Sequence, residues 1–472
     1  MKKANSTFKT SFNKSCKTAL MLALSLGVAA GSLSACSDSD SNGNGNGNGA
    51  QSQNVDPGKV GVKLVKSSLS RAESNIANAD LDAFVKGQYD LNFDLIRKSA
   101  DQIGDDNAMI STFSIQTALA MTWAGADGNT ASEIASALNL DANAHAALNK
   151  LDALIQSKNK DAYKNEVAPG YFDEKGAVEI KTNNDLYFSA DKYTWSDAWL
   201  DVLAVNYGAG LTEMSFSDTE AARKYINDKV SADTHDRIQE LLPANSITLN
   251  TMAVITNAIY FKAPWRDEVI KLDEKMSFKK LDGSSVDADR LFASDNYEYM
   301  ADSDNRFQAV SLPLRDNDFK VLFVLPADGK FNDVQNALNG DLIKVIFDNS
   351  KADLDTVINL DFPSYSFKTS VQLKKPLQAL GMNDAFSSVA DFSKMTNGDN
   401  GLYIDEVYHK TFVGLDENGV EAAAATAVVM AEKAAPGQDH IDISLDHPYI
   451  FVIYESESKT PLFVGRVMDP SK

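Results

Sequence analysis

Cysteine is nearly absent from this chain of 472 residues, which has only Cys16 and Cys36. Both lie near the N-terminus, so the rest of the chain has no thiol and cannot form a disulfide. A domain of roughly 395 residues can be held together by its hydrophobic core alone. The apolar share of 44% is ordinary for a globular protein and agrees with that expectation.

Motifs that would indicate an enzyme are also absent. The chain has no Gly-x-Ser-x-Gly, His-Glu-x-x-His or Cys-x-x-Cys sequence and no phosphate-binding glycine loop. None of the five histidines shows the spacing of metal ligands; they are His145, His235, His409, His440 and His447. A Ser-His-Asp triad has no fixed spacing, so motif absence is weak evidence against an enzyme. We expect no metal and no cofactor.

Positive charge is scarce. The formal net charge is −21, and residues 1–36 contain five lysines and no acidic residue, so the remainder carries −21 − 5 = −26. A surface this acidic repels nucleic acids and anionic lipid surfaces. We therefore expect no nucleic-acid partner.

The N-terminus has the features of a secretion signal. Its five lysines precede an apolar stretch, Ala19–Ala30, which is too short for a permanent membrane span. The tetrapeptide Leu33–Cys36 then resembles a bacterial lipobox, in which Cys36 becomes the lipidated first residue. A plain secretory peptide with an incidental cysteine is the alternative. Because Ser37 is not the aspartate typical of inner-membrane retention, we predict an outer-membrane lipoprotein facing either the periplasm or the exterior.

The segment after Cys36 cannot form a core. Residues 37–53 are almost entirely Ser, Asp, Asn and Gly, a composition typical of a flexible tether. Its first residues imitate a calcium-binding loop, but Gly49 stands where the closing glutamate is required. The predicted organisation is a signal peptide over 1–36, a tether over 37–75 and one folded domain over 76–472.

Within that domain, helices come mostly first and strands mostly later, which indicates an α+β fold. Apolar residues recur at a spacing of four in Ile115, Leu119 and Trp123, and again in Trp199, Leu203 and Tyr207. Short apolar runs bounded by Pro, Asp or Gly predict buried strands; they are 321–325, 449–454 and 462–464.

The most informative stretch is the alanine-rich run within Asp416–Lys433, DENGVEAAAATAVVMAEK. In an extended conformation one face would be uncharged and mostly small, with the other face carrying Glu421 in water. A shift of one residue would bury Glu421, so the parity is fixed. An exposed helix is the alternative because alanine is the best helix former. The uncharged face would carry Val420, Ala422, Ala424, Thr426, Val428 and Met430.

The sequences flanking this run resemble the serpins. Six blocks occur in serpin order, from STFSIQTALAMTWAGADGNTASEIASAL at Ser111 to PLFVGRVMDP at Pro461. Between them stand TNAIYFKAPW, LQALGMNDAFSSVADF, LYIDEVYHKTF and DHPYIFVI. The resemblance covers the chain from about Ala79 to the C-terminus. It implies a serpin fold, a multi-helix domain with three β-sheets and an exposed reactive-centre loop.

The resemblance also assigns residues to the loop and its hinge. The implied hinge and insertion residues are Glu417, Gly419, Val420, Ala422, Ala423, Ala424, Ala425 and Thr426. Counting forward from Glu417 as in serpins places the reactive bond at Lys433-Ala434, which suits a trypsin-like protease. The simpler interpretation of Lys433 is a solvated surface lysine, and the segment from Met430 to Ala434 holds the rival bonds.

A second group matches the serpin region where the main sheet opens. The implied residues are Ser111, Ser114, Asn257, Trp265 and His409. The alternative is that these are only satisfied buried polar groups.

The implied function is inhibition of serine proteases, and possibly of cysteine proteases, through a covalent 1:1 complex formed by a monomer that is not itself an enzyme. A non-inhibitory serpin that serves as a surface binding protein or scaffold is the alternative. A hydrolase on an unrelated α+β fold is the third class.

Overall fold

The computed structural model describes residues 60–168, 171–190, 192–398, 401–421 and 439–472. The predicted lipidation residue Cys36, the hinge residues Ala422–Thr426 and the predicted bond between Lys433 and Ala434 lie outside these ranges.

Ten α-helices occur in the described ranges. They are α1 (Asn78–Lys98), α2 (Ala100–Ile103), α3 (Thr112–Trp123), α4 (Gly128–Ala137), α5 (Ala144–Gln156), α6 (Asp197–Tyr207), α7 (Thr219–Asp233), α8 (Phe331–Ala337), α9 (Gly340–Asn349) and α10 (Lys374–Ala379). The two runs with a spacing of four lie in α3 and α6, so both helix predictions are confirmed. Side chains of Ser196, Asp218 and Asn339 accept a backbone N–H at the N-termini of α6, α7 and α9.

Nineteen strands occur in the same ranges. They are β1 (Lys63–Val65), β2 (Ala108–Ile110), β3 (Tyr163–Ala168), β4 (Tyr171–Lys175), β5 (Glu179–Ser189), β6 (Leu211–Met214), β7 (Ala253–Pro264), β8 (Val269–Lys279), β9 (Ser285–Asp295), β10 (Glu298–Ala301), β11 (Phe307–Pro313), β12 (Phe319–Pro326), β13 (Thr356–Pro363), β14 (Tyr365–Gln372), β15 (Val407–Asp416), β16 (Gly419–Val420), β17 (Asp439–Ser444), β18 (Tyr449–Glu455) and β19 (Pro461–Val467). The three predicted strands correspond to parts of β12, β18 and β19.

The main sheet has seven strands in the order β1-β6-β5-β7-β16-β15-β14. Its central strand β7 is buried along nearly its whole length, because β5 pairs with one edge, β15 and β16 pair with parts of the other, and α3 packs against it. The edge strand β14 alternates strictly between buried and exposed residues, the pattern of a strand with one face in water. The functional site lies where β7 and β15 separate.

The other strands form a six-stranded sheet (β10-β11-β12-β18-β19-β2), a four-stranded sheet (β17-β13-β9-β8) and the hairpin β3-β4. Strands β18 and β19 are buried at every position, as their continuous apolar sequences require. Three large sheets agree with the predicted α+β architecture. The hairpin is an addition that the sequence did not indicate.

The folded structure begins earlier than the sequence suggested. Val60 is fully buried, and β1 pairs with β6 along the edge of the main sheet. Arg71 then hydrogen-bonds Asn149 and forms an ion pair with Asp152 on α5. Residues 60–75 were assigned to the tether because they are mostly polar. Only Lys63–Val65 pair with the open edge of the main sheet, and composition does not reveal that pairing. None of the described helices combines the length and apolar character needed to cross a membrane.

Candidate functional site at the opening of the main sheet

The predicted hinge begins inside the main sheet. Strand β16 lies between β7 and β15. Gly419 is paired with Pro264 on β7 and with Asp416 on β15, and Val420 is paired in the same way with Ala263 and Leu415. Val420 is 2% exposed, so the first residue of the predicted uncharged face is buried.

The close approach of the β16 backbone to β7 requires glycine at position 419. Its φ is +146°, and a Cβ there would lie 2.3 Å from the carbonyl oxygen of Ala263. Any other residue would both strain the backbone and push β16 away from β7.

Trp265 closes this end of the site. Its backbone N–H donates to the carbonyl of Asn418 at 3.1 Å, and its indole Nε1–H donates to the carbonyl of Asp416 at 2.8 Å. The indole is 5% exposed and packs edge-on against Phe362. Trp265 therefore holds the turn that leads from β15 into β16.

Glu421 is the last described residue before the predicted loop. Its backbone has a φ of +51°, and its N–H donates to the carbonyl of Gly414 at 2.8 Å. Its side chain is 7% exposed and forms an ion pair with Arg237, whose guanidinium also lies 5.2 Å from the ring centroid of Phe412. The sequence placed Glu421 in water in an inserted strand; in this structure it is largely buried, because Arg237 covers it.

Burial raises the pKa of the Glu421 carboxyl above its ordinary value, although nearby Arg237, Lys262 and His235 favour the charged form. The pKa of Asp416, two residues before Asn418, is raised by burial as well. Two carboxyl groups at the hinge therefore bind protons more readily than they would in water.

Beyond β16 the two central strands part. Residues 411–414 of β15 and 259–262 of β7 face each other, and the described chain places no strand between them. A cavity of about 480 Å³ adjoins this opening, lined by residues that include Tyr260, Phe412, Gly414 and Glu421. A strand that continued β16 would lie in this opening.

At the other end of the seam the same strands pair directly. Residues 407–410 of β15 pair in parallel with 255–258 of β7, which places His409 opposite Asn257. Asp416 lies seven residues beyond His409 on β15, about 23 Å at the strand rise.

A hydrogen-bonded group, here called the seam cluster, crosses this pairing. Its members are Ser111, Ser114, Asn184, Asn257 and His409. His409 Nδ1 lies 2.6 Å from the Asn257 side-chain oxygen. The Asn257 amide donates to Ser114 Oγ and to the Asn184 side-chain oxygen, both at 2.6 Å. The backbone N–H of Ser111 donates to His409 Nε2 at 3.2 Å. A strand placed between β7 and β15 at this end would have to break the His409–Asn257 bond, which joins those two strands.

Burial lowers the pKa of His409 to about 3. Its geometry explains the neutral form, because Nε2 accepts the Ser111 N–H and so cannot carry a proton without losing that bond. His409 is 1% exposed, so the neutral ring is part of the native packing.

Two site residues escaped the sequence reasoning. Arg237 follows α7 and reaches the hinge only through the tertiary fold, so no local signal marks it. Asn184 belongs to an Asn-Asn pair in β5, where Asn183 is buried and Asn184 half-buried; two adjacent amides in a strand are a signal that could have been noticed. No group of His, Cys, Asp and Glu able to hold a metal occurs in the described part of the chain.

Comparison with known proteins identifies the family. The family model described as serpin (serine protease inhibitor) matches residues 86–470. An uncharacterized serpin-like protein of Thermococcus kodakarensis is 32% identical over 381 residues, covering 80% of this chain and 84% of that protein. Human Serpin B4 is 30% identical over 402 residues, covering 83% of this chain and all of that protein. The chain therefore belongs to the serpin family.

Solved structures show the same fold. The thermophilic serpin tengpin in its native state has a TM-score of 0.71 at 24% identity, covering 86% of this chain and all of that one. Thyroxine-binding globulin in complex with thyroxine has a TM-score of 0.69 at 24% identity, covering 83% of this chain and all of that one. These similarities confirm the predicted serpin fold.

Proposed function

We propose that this protein inhibits serine endopeptidases by trapping them as acyl-enzymes, with trypsin-like enzymes as the main targets and cysteine proteases as further ones. The observation that carries the proposal is the position of β16, which is already paired on both edges between β7 and β15. Relatives of this chain include the leukocyte elastase inhibitor of Xenopus tropicalis, which is 31% identical over 388 residues.

The chemistry begins at the proposed Lys433-Ala434 bond. The protease serine Oγ attacks the Lys433 carbonyl carbon, an Oγ–C bond forms, and the C–N bond to Ala434 breaks. The serine proton passes to the Ala434 nitrogen, which leaves as an amine. The protease is then held as an ester on Lys433 at the end of a released segment.

Insertion follows because the released segment continues β16. Residues after Glu421 would enter the opening beside 411–414 and 259–262 and then displace the direct pairing at the seam cluster. About 14 inserted residues span roughly 45 Å at the strand rise, which carries the tethered protease across the domain. Backbone hydrogen bonds and burial of the small, uncharged face supply the driving force.

The test uses purified protein and trypsin, with products separated in denaturing gels. The wild-type chain should give a covalent 1:1 complex. Ala424→Arg should give cleaved inhibitor and active trypsin, because it places a charge on the face that must be buried. Ala423→Arg is the matched control: it introduces the same side chain one position away, on the outer face, and should still form the complex.

A wild-type protein that is only cleaved would contradict inhibition and support a non-inhibitory binding role. Equal trapping by Ala424→Arg and wild type would contradict insertion with this parity.

We further propose that the chain is anchored in the bacterial outer membrane through lipid on Cys36. The tetrapeptide ending at Cys36 and the basic and apolar segments before it support this proposal. The intact mass of detergent-extracted protein should correspond to a chain beginning at a lipidated Cys36. A Cys36→Ser variant should lose the lipid, and an unmodified wild-type mass would contradict the anchor.

A further inference from the structure

An Asn-Gly pair forms the turn that leads into β16. Asn418 precedes Gly419, and the turn joins Asp416 on β15 to its partner Gly419 on β16. An asparagine followed by glycine is prone to cyclisation, because a glycine without a side chain lets its nitrogen approach the asparagine side-chain carbon. Asn418 is half-buried, so water can reach it.

The carboxyl group of Asp416 binds both groups that would react in such a cyclisation. It accepts the Asn418 backbone N–H at 2.7 Å. It also accepts hydrogen bonds from the Asn418 side-chain amide and from the Gly419 N–H. Two groups that donate to one carboxylate are held close together, as an intramolecular reaction requires. Burial raises the pKa of Asp416, which makes its carboxylate a stronger base than one in water.

The Asn-Gly pair at Asn339 lacks this arrangement. The Asn339 side-chain oxygen accepts the Leu342 N–H at 2.8 Å as the cap of α9. The Gly340 N–H donates instead to the carboxylate of Asp90, also at 2.8 Å. Because the two groups have different partners, the contacts hold them in place rather than direct them at each other.

The pair at Asn397 is held in a similar way. The Asn397 side-chain amide donates to the Trp195 carbonyl at 3.4 Å, and the Gly398 N–H donates to the Ser393 carbonyl at 3.0 Å. Neither contact supplies a base. Among the Asn-Gly pairs that lie wholly within the described ranges, only the pair at the hinge has a carboxylate that contacts both reacting groups.

We propose that Asn418 is a self-modifying site that converts to isoaspartate in the folded protein, with Asp416 as the base. The Gly419 nitrogen attacks the Asn418 side-chain carbon Cγ, an N–Cγ bond forms, and Asp416 takes the N–H proton. The Cγ–Nδ2 bond then breaks, and Nδ2 leaves as ammonia with that proton. Water opens the resulting succinimide at one of its two carbonyls, which gives either aspartate or isoaspartate.

Isoaspartate would displace β16, because it lengthens the main chain by one methylene group. Gly419 has no room toward β7, since a Cβ there would lie 2.3 Å from the carbonyl oxygen of Ala263. The Asn418 carbonyl, which accepts the Trp265 N–H, becomes a free carboxylate in isoaspartate. The converted turn therefore cannot keep the register of β16 between β7 and β15.

The experiment follows conversion at each Asn-Gly pair by peptide mapping of the full chain in mildly alkaline buffer, once native and once unfolded in urea. Conversion at Asn418 should be about 10-fold faster in the native chain than in the unfolded chain. Conversion at Asn339 and Asn397 should be at least about 10-fold slower in the native chain, because reaction there requires local opening. A native Asn418 that reacts no faster than the unfolded one would overturn the site.

Two variants assign the roles of the reacting groups. Asp416→Asn removes the base and should slow native conversion at Asn418 by at least about 10-fold, with no change in urea. Asn418→Gln keeps the amide but requires a larger ring, so it should stay unmodified over the same period. Equal native rates for Asp416→Asn and the wild type would overturn the role of Asp416.

Hydrogen exchange of the converted sample measures the effect on β16. Peptides covering residues 411–421 with aspartate or isoaspartate at position 418 have the same charge and differ in backbone length, and chromatography separates them. The isoaspartyl form should exchange its backbone amides at least about 10-fold faster than the aspartyl form. Equal exchange in the two forms would overturn the displacement of β16.

One consequence rests on the proposed inhibitory function. A β16 that has left the sheet cannot lead the loop into it, so wild-type protein stored until it has converted should form less covalent complex with trypsin than equally stored Asn418→Gln. Equal yields would overturn the link between conversion and loop insertion. Fresh wild-type protein that forms no complex would contradict the inhibitory function, whereas the conversion rates would still decide the modification site.

Discussion

The two ends of the seam between β7 and β15 contrast in how they are closed. At the hinge end, β16 separates the strands, and Glu421 is held by Arg237, whose side chain is half exposed. At the other end the strands pair directly, and the seam cluster lies across them, with Ser111, Ser114, Asn257 and His409 buried. The hinge end is held open by β16 and adjoins a cavity, while the other end is closed by the hydrogen bonds of the seam cluster. Under the proposed mechanism, loop insertion should begin easily at the hinge end and meet its main resistance at the seam cluster.

The ends also differ in their response to acid. His409 has a pKa lowered to about 3, so at the seam cluster the fold favours the neutral ring and opposes proton uptake. At the hinge, burial raises the pKa of Glu421 and Asp416, so there the fold favours proton uptake. Acidification should therefore destabilise one end of the seam and stabilise the other.

The larger expected effect concerns His409. Between pH 6.5 and pH 5 the unfolded chain takes up a proton on this ring and the native protein does not, so stability falls as the pH falls. The loss over 1.5 pH units is about 2 kcal/mol for this fully buried group. A His409→Asn variant should lack this part of the acid response. Chemical denaturation of both proteins across this pH range measures the difference.

His440→Asn is the control for that series, because His440 is exposed on β17. Its stability should follow the wild-type pH dependence. Parallel curves for His409→Asn and the wild type would contradict the neutral, buried histidine.

The smaller effect concerns Glu421. Its folded-state pKa is raised, so its contribution to stability is most favourable below about pH 4.5, the ordinary carboxyl value, and declines as the pH rises through the folded-state pKa. Glu421→Gln should therefore be more stable than the wild type at pH 7, because losing the ion pair with half-exposed Arg237 costs little. The expected gain in stability is less than about 1 kcal/mol. Thermal unfolding at pH 7 and pH 4 measures this gain and its disappearance in acid.

Asp416 provides the internal comparison for Glu421. Asp416 is unchanged in the Glu421→Gln variant, so its contribution to the pH dependence of stability should remain. A variant less stable than the wild type at pH 7 would show that the Arg237 ion pair outweighs the cost of burial.

Much of the site was predictable from sequence because it depends on local pattern. Alternation along the run after Gly419 placed Val420 on a buried face, and the apolar runs identified β12, β18 and β19. The matched serpin blocks selected Asn257 and His409, which the fold then places opposite each other. The roles of these residues in sheet opening stay predictions, as does the reactive bond at Lys433.

Other features could not be read from sequence because they depend on contacts between distant segments. Arg237 and Glu421 are 184 residues apart and meet only after α7 packs over the main sheet. Within residues 60–75, Lys63–Val65 pair with an edge of the main sheet, and composition does not predict that pairing.

The sequence by itself indicated the serpin fold, because six blocks resemble that family in order, and it placed Val420 on a buried face. The parity of the run from Ala422 onward stays a prediction. Only the tertiary structure decided that β16 already lies in the sheet and that Arg237 covers Glu421. The physical reason is that burial and ion pairing between residues far apart in the sequence depend on tertiary packing. The local sequence around one residue does not specify which distant side chain will contact it.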